Sequence, residues 1–212
     1  MAKRSARGQG KRWRPYGDHG ALIELESLAE VHALHRSVQH SQLAVECVPG
    51  AITLYVKALD ERMSAAALVE LVFGLPPRDL VVSEIRTHSI AVVYDGDDLA
   101  DVARLTDLSV DEVIARHAAP TYTVAFLGFS RSFPYLVGLD PQLVVPRLPS
   151  PRTSVPAGSV GMGAGFTGIY PAASPGGWRL LGRTDDVVFN ETNDPPSVLR
   201  PGDLVRFEVR QP

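Results

Sequence analysis

Pro156-Ala157-Gly158-Ser159-Val160-Gly161-Met162-Gly163-Ala164-Gly165-Phe166-Thr167-Gly168-Ile169-Tyr170 places five glycines within eleven residues, between short apolar pieces. Glycine at this density lets the backbone take positive φ and approach other groups closely. Two readings stand: tight turns and bulges of a β-barrel, or exposed N–H groups that cradle an anion. Outward from this stretch, residues 128–212 hold 11 of the 18 glycines and 12 of the 17 prolines. They are interleaved with the apolar pieces Leu143 to Val145, Leu180-Leu181, Val187 to Phe189 and Leu204 to Val209. That pattern predicts a β-barrel or sandwich with elaborate loops, not a linker. It is not a dinucleotide fingerprint, because Gly161 to Phe166 lacks the third glycine at the right offset and opens no helix. No phosphate loop with Gly-Lys-Ser/Thr occurs in the chain.

The first half has a different texture. Ala21 to Leu25 reads as a strand, and Ser27 with Glu30 as a capping box opening a helix that carries Leu28, Val31, Leu34, His35 and Val38. Leu43, Val45 and Cys47 alternate, Pro49-Gly50 turns the chain, and Ile52, Leu54 and Val56 alternate again, which predicts a hairpin. Asp60 is the expected cap of a second helix with Ala65, Leu68, Val69 and Val72 on one face. A further strand is expected within Leu80 to Thr87. The order strand, helix, strand, strand, helix, strand is that of a ferredoxin-like α+β domain. Beyond it, Ile90 to Tyr94 and Tyr122 to Phe129 read as strands, Asp98 to Leu105 as a helix, and Ser109 with Glu112 as a capping box of a helix reaching His117. The expected divisions are a basic disordered tail (1–14), an α+β domain (15–88) and a β-barrel domain (89–212).

Of 212 residues, 45% are hydrophobic and 21% charged, an ordinary globular composition. No apolar run approaches the roughly 18 residues that cross a bilayer, and the N-terminus lacks a secretion-signal core, so a cytoplasmic, membrane-free chain is expected. The net charge of −3 is uneven: Lys3, Arg4, Arg7, Lys11, Arg12 and Arg14 precede the first acid, leaving −9 over the rest. With only Trp13 to stack and an acidic body behind it, this arm reads as a solvated tail rather than a nucleic-acid site. Cys47, the single cysteine, reads as a buried small hydrophobe. No metal site is expected: the six histidines all lie at or before His117 without ligand spacing, and His32 and His35 read as helix-surface residues.

The chemistry-bearing residues crowd between Pro151 and Thr184. Arginine holds carboxylates or phosphates bidentately, and hydroxyls and Tyr can donate to a developing oxyanion. The candidates for catalysis are His117, the one general base close in sequence, with Arg152, Tyr170 and Arg183. Those for substrate or anion binding are Gly158, Ser159, Thr167, Ser174, Gly176, Gly177, Trp178 and Thr184. Arg147 lies in the same neighbourhood. No nucleophile elbow exists, and no histidine follows His117. Gly202-Asp203 reads as a structural turn into a last strand.

The strings Tyr16-Gly17-Asp18, Val92 to Gly96, Gly128-Phe129 with Phe133 to Leu136, Val155 to Val160, Thr167 to Pro171, Ser174 to Trp178, Gly182 to Thr184 and Pro201 to Asp203 resemble, in order, those of one family. It is the KipI family, that of the 5-oxoprolinase B subunits (PxpB), also called allophanate hydrolase subunit 1 or carboxyltransferase subdomain C/D. The resemblance implies that the α+β domain precedes a cyclophilin-like β-barrel. It also implies two partners, a C subunit of KipA/PxpC type and an A subunit, in a complex that uses ATP with Mg to open the lactam 5-oxo-L-proline to L-glutamate. Related members act in urea carboxylase as carboxyltransferases, and one namesake inhibits a sensor histidine kinase. One string departs: Arg131-Ser132 stands where family members usually carry Pro-Gly, which changes the permitted turn.

Overall fold

The computed structural model describes residues 12–78, 84–130 and 132–211 and separates into two units, the break falling between Glu84 and Ile85. In unit 1, strands β1 (Arg12–Pro15), β2 (Gly20–Glu24), β3 (Val45–Pro49) and β4 (Thr53–Ala58) form an antiparallel sheet in the order β1-β2-β4-β3. Period-two alternation in β4 buries Leu54, Val56 and Ala58, and these meet Ala21 and Ile23 of β2 and the apolar faces of two helices, α1 (Leu28–Gln39) and α2 (Ala65–Gly74).

The helix starts are local. Ser27 accepts from Glu30 N at 3.2 Å, while the Glu30 carboxylate turns to Glu26 N instead of Ser27 N. The cap of α2 is Ser64, which accepts from Ala67 N at 3.3 Å; Asp60, the expected cap, instead holds Arg62 N in the preceding turn. His32 and His35 are not surface residues. Spacing of three and four puts them with Val31 and Val38 on the buried face of α1, and burial lowers the His35 pKa to about 4. Cys47 is half-buried against the same core, and burial raises its thiol to about 12.

The ferredoxin-like arrangement is not confirmed. Arg12, Trp13 and Arg14, expected in a disordered tail, form an edge strand whose Trp13 packs on the core opposite Ile23. Residues 80–83 of the expected strand at 80–87 lie outside the described ones, 84–86 form no strand, and Thr87 opens a strand of unit 2.

Unit 2 contains strands β5 (Thr87–Val92), β6 (Tyr122–Gly128), β7 (Phe133–Val137), β9 (Ser159–Gly163), β10 (Phe166–Ile169), β12 (Arg179–Arg183) and β13 (Leu204–Val209). They form one sheet, order β12-β9-β10-β7-β6-β13-β5. Only β13 and β5 run parallel. A bridge between Val93 and Arg183 brings the two ends of the sheet together, so it is nearly closed and leaves little edge exposed. A small ladder of β8 (Arg152–Val155) and β11 (Ser174–Gly176) stands apart from it. Helix α3 (Leu99–Thr106) and helix α4 (Val110–Ala118), the latter opened by a complete Ser109/Glu112 capping box, cover one side. Their Leu99, Val102 and Val113 join Val92, Val124, Leu136, Val160 and Phe207 in the core. The pieces Leu143–Val145 and Val187–Phe189 bury Leu143, Val145 and Val188 without being strands. Gly202-Asp203 is the turn into β13, and the buried Asp203 carboxylate accepts from Arg86, from His88 Nε2 at 3.1 Å and from Arg200 N at 2.9 Å.

Candidate functional site

Strand β7 carries Phe133 and Tyr135 two residues apart, hence on one face. Around them Tyr170 and Trp178 complete an aromatic cleft of about 260 Å3, rimmed by Phe129, Arg147, Pro151 and Pro175 to Gly177. The rings meet edge to face: Phe133 to Tyr170 at 4.9 Å, Phe133 to Trp178 at 5.1 Å and Tyr135 to Trp178 at 5.5 Å. Edge-to-face pairs interlock and hold their spacing. Glycine is required beneath two of them. A Cβ on Gly163 would lie 2.9 Å from the Trp178 ring, and one on Gly176 would run into the Tyr170 hydroxyl.

The wall bearing Trp178 is braced from α3. Asp98, buried at the helix start, accepts from Leu180 N at 2.7 Å and from Arg152 Nη2 at 2.9 Å, while buried Arg179 pairs with Asp101. Arg152, a catalytic candidate, is therefore an internal clamp; its Asp98 partner raises its pKa.

Of the residues singled out in the sequence, the cleft gathers Arg147, Tyr170, Gly176, Gly177 and Trp178. Gly158, Tyr170 and Thr184 line a second depression of about 210 Å3 beside Asp185 and Asp186. Arg183 is exposed and paired with Asp95 at 2.9 Å. Ser174 Oγ is buried without a hydrogen-bond partner among the described residues. The anion cradle is not assembled: Gly158 N donates to Tyr170 O and Ser159 N to Pro156 O, while Gly161, Gly163 and Gly168 lie in the β9–β10 ladder. Phe129, Phe133 and Tyr135 were not singled out as site residues. The signal for them was the period-two spacing of Phe133 and Tyr135 next to a Gly-Phe turn.

His117 and Thr167 are buried inside the barrel and line neither the aromatic cleft nor the second depression. His117 is fully buried and stacked on Phe207, with Nδ1 2.8 Å from Tyr94 Oη and Nε2 2.8 Å from Thr167 Oγ1, which donates to Gly161 O at 3.0 Å. Burial lowers its pKa from 6.5 to about 3, so both ring nitrogens serve packing and neither is open to a substrate. The unfolded chain takes up a proton near pH 6.5, so the unfolded state binds more protons between about pH 3 and 6.5. The stability from neutral His117 is full above that window and is lost as pH falls through it. Lowering pH from 7 to 5 should cost unit 2 about 2 kcal/mol. Urea unfolding followed by Trp178 fluorescence in a Trp13→Phe background checks this, and His117→Gln should flatten the dependence.

The rim turn carries backbone strain. Phe129 and Ser132 sit at φ +60 and +64, the left-handed region that glycine enters without cost. Ser132→Gly is expected to stabilise unit 2 by up to about 1 kcal/mol, read from the urea midpoint.

Residues 11–199 match the family described as carboxyltransferase domain, subdomain C and D. The chain belongs to this family. It is 40% identical over 190 residues to the 5-oxoprolinase B subunit of Haemophilus influenzae, covering 87% of this chain and 88% of that protein. Among solved structures it resembles TTHA0988 at a TM-score of 0.80 and 36% identity, over 91% of this chain and 40% of that one. The chain thus spans about two fifths of that protein. Kluyveromyces lactis urea carboxylase matches at a TM-score of 0.72 and 21% identity, over 95% of this chain and 22% of that one, a likeness of fold alone.

Proposed function

We propose that this chain is the B subunit of a cytoplasmic 5-oxoprolinase, which uses ATP to hydrolyse the lactam of 5-oxo-L-proline to L-glutamate together with a C subunit of KipA/PxpC type and an A subunit. The observation that carries the reading is 40% identity across 88% of a protein named as the B subunit of 5-oxoprolinase. In keeping with it, unit 2 is read as the cyclophilin-like barrel of such proteins, and its aromatic cleft is of a size for a small ring. No helix among the described residues is long and apolar enough to cross a membrane.

The described residues of this chain do not fit ATP with Mg. The Gly158 and Ser159 amides are committed to turns, Gly161, Gly163 and Gly168 lie in the ladder, Arg152 and Arg183 are paired with Asp98 and Asp95, and no cluster of three His, Cys, Asp or Glu occurs among the described residues. We therefore assign the nucleotide to the partner chains. What this chain contributes is binding. Aromatic walls exclude water from a ring held among them and fix its orientation, which lowers the entropy cost of bringing it to a reactive group on a partner. The carboxyltransferase alternative has the description of the matching family and a likeness of fold at 21% identity behind it.

The test is co-expression with the A and C partners, isolation of the assembly and assay of glutamate formed from 5-oxo-L-proline. ATP-dependent glutamate supports the reading. Well-folded, co-purifying chains that form none would overturn it.

A further inference from the structure

Around the cleft, Arg152, Arg179 and Arg183 each face a carboxylate, whereas Arg147 has none within 4.0 Å among the described residues. Its guanidinium carbon lies 6.0 Å from the centroid of the Trp178 ring. Burial raises the pKa of the Tyr135 and Tyr170 phenols, and the Arg147 charge opposes that rise in both. The backbone on both sides of Arg147 is pinned, because Arg179 Nε donates to Pro146 O at 2.9 Å and Leu148 N donates to Gly177 O at 2.9 Å. An exposed cation without an internal anion thus stands at the rim of an apolar cavity, its backbone fixed on both sides. Such a pairing of aromatic surface with one directed charge is the usual makeup of a small-molecule site.

Size and charge together narrow the occupant. About 260 Å3 is at the small end of ligand sites, which run to about 300–1,000 Å3. A polyphosphate calls for several cations and amide donors, and among the described residues the cleft offers one guanidinium. A monoanion attached to a small apolar ring matches both features, since Arg receives a carboxylate through two parallel hydrogen bonds.

We propose that this cleft is a receptor for a small cyclic carboxylic acid, with the ring against Phe133, Tyr135, Tyr170 and Trp178 and the carboxylate on Arg147, which makes Arg147 the specificity-determining residue. That the acid is 5-oxo-L-proline rests on the function proposed above; the receptor itself rests on the geometry.

The experiment follows the Trp178 indole resonance of the full chain during titration with 5-oxo-L-proline, with 2-pyrrolidinone (the same ring without a carboxylate) and with cyclopentanecarboxylate. A saturable shift is expected with the acid, and binding of 2-pyrrolidinone at least about tenfold weaker. Arg147→Ala should weaken the acid by about tenfold or more and leave 2-pyrrolidinone unchanged, and Arg147→Lys should recover part of the loss. An unmoved Trp178 resonance in the free variants shows that the cleft is intact. Equal binding of acid and neutral ring, an Arg147→Ala variant that binds as the parent does, or no shift with either acid overturns the receptor. Cyclopentanecarboxylate binding without 5-oxo-L-proline supports the receptor and removes that substrate. Tight binding of 5-oxo-L-proline beside an inactive assembly would leave the receptor standing and sink the proposed function. An active assembly whose KM ignores Arg147 would do the reverse.

Discussion

Trp178→Ala should destabilise unit 2 by about 3–5 kcal/mol, the usual cost of emptying a large aromatic from a packed core, and should abolish turnover by the assembly. Trp178 is 5% exposed, lies on Gly163, and packs edge to face against both Phe133 and Tyr135. Its removal deletes one wall of the cleft and takes one edge-to-face partner from each of Phe133 and Tyr135. Urea unfolding reports the stability, and glutamate formation reports the function at a temperature where the variant remains folded. Trp178→Phe keeps an aromatic face and should retain part of both. Trp13→Ala supplies the control: Trp13 is half-buried on the edge strand of unit 1, and its loss should leave the cleft unchanged.

Asp203→Ala should cost about 3 kcal/mol. The carboxylate is nearly inaccessible and serves three donors at once, Arg86, His88 and Arg200 N, tying the chain before β5 to the turn that enters β13. Without it, His88 and the Arg200 amide lose their acceptor inside the protein. The partly exposed Arg86 recovers water, which keeps the figure below that of a fully buried triad. Asp203→Asn preserves the shape and one acceptor oxygen, so it should lose less. The difference between the two variants measures how much the charge itself contributes, and cleft binding should survive in Asp203→Asn.

What the sequence disclosed was mostly local. The Ser109–Glu112 box, the start of α1 at Ser27 and the hairpin about Pro49-Gly50 depend on residues a few positions apart, and the structure builds them as read. The cap of α2 was misread because Asp60 and Ser64 are both good caps within about one turn, and the choice rests on where the first buried residue, Ala65, must begin. The strand Arg12–Pro15 hides in a run of positive charge, since an edge strand with one inward residue, Trp13, shows no alternation. The parallel pairing of β13 with β5 joins residues more than a hundred positions apart and leaves no trace in either strand.

The candidate site shows the same division. The string Ser174 to Trp178 marked one wall of the cleft, and Phe133-Pro134-Tyr135 carried the second, legible only as period-two spacing. Which of these arginines lacks a carboxylate among the described residues could not be read at all. Arg147, Arg152 and Arg183 look alike along the chain, and only the pairing of Arg152 with Asp98 and of Arg183 with Asp95 in three dimensions sets Arg147 apart. His117 looked like an available base because its partners Tyr94 and Thr167 lie 23 and 50 positions away.

The account rests most on the claim that this chain supplies an indispensable part of a lactam-opening assembly, and the direct measurement is the rate of glutamate formation from 5-oxo-L-proline and ATP by the A and C partners with and without it. The account predicts a rate that depends on added chain and saturates at a fixed stoichiometry. An unchanged rate in its absence would contradict it.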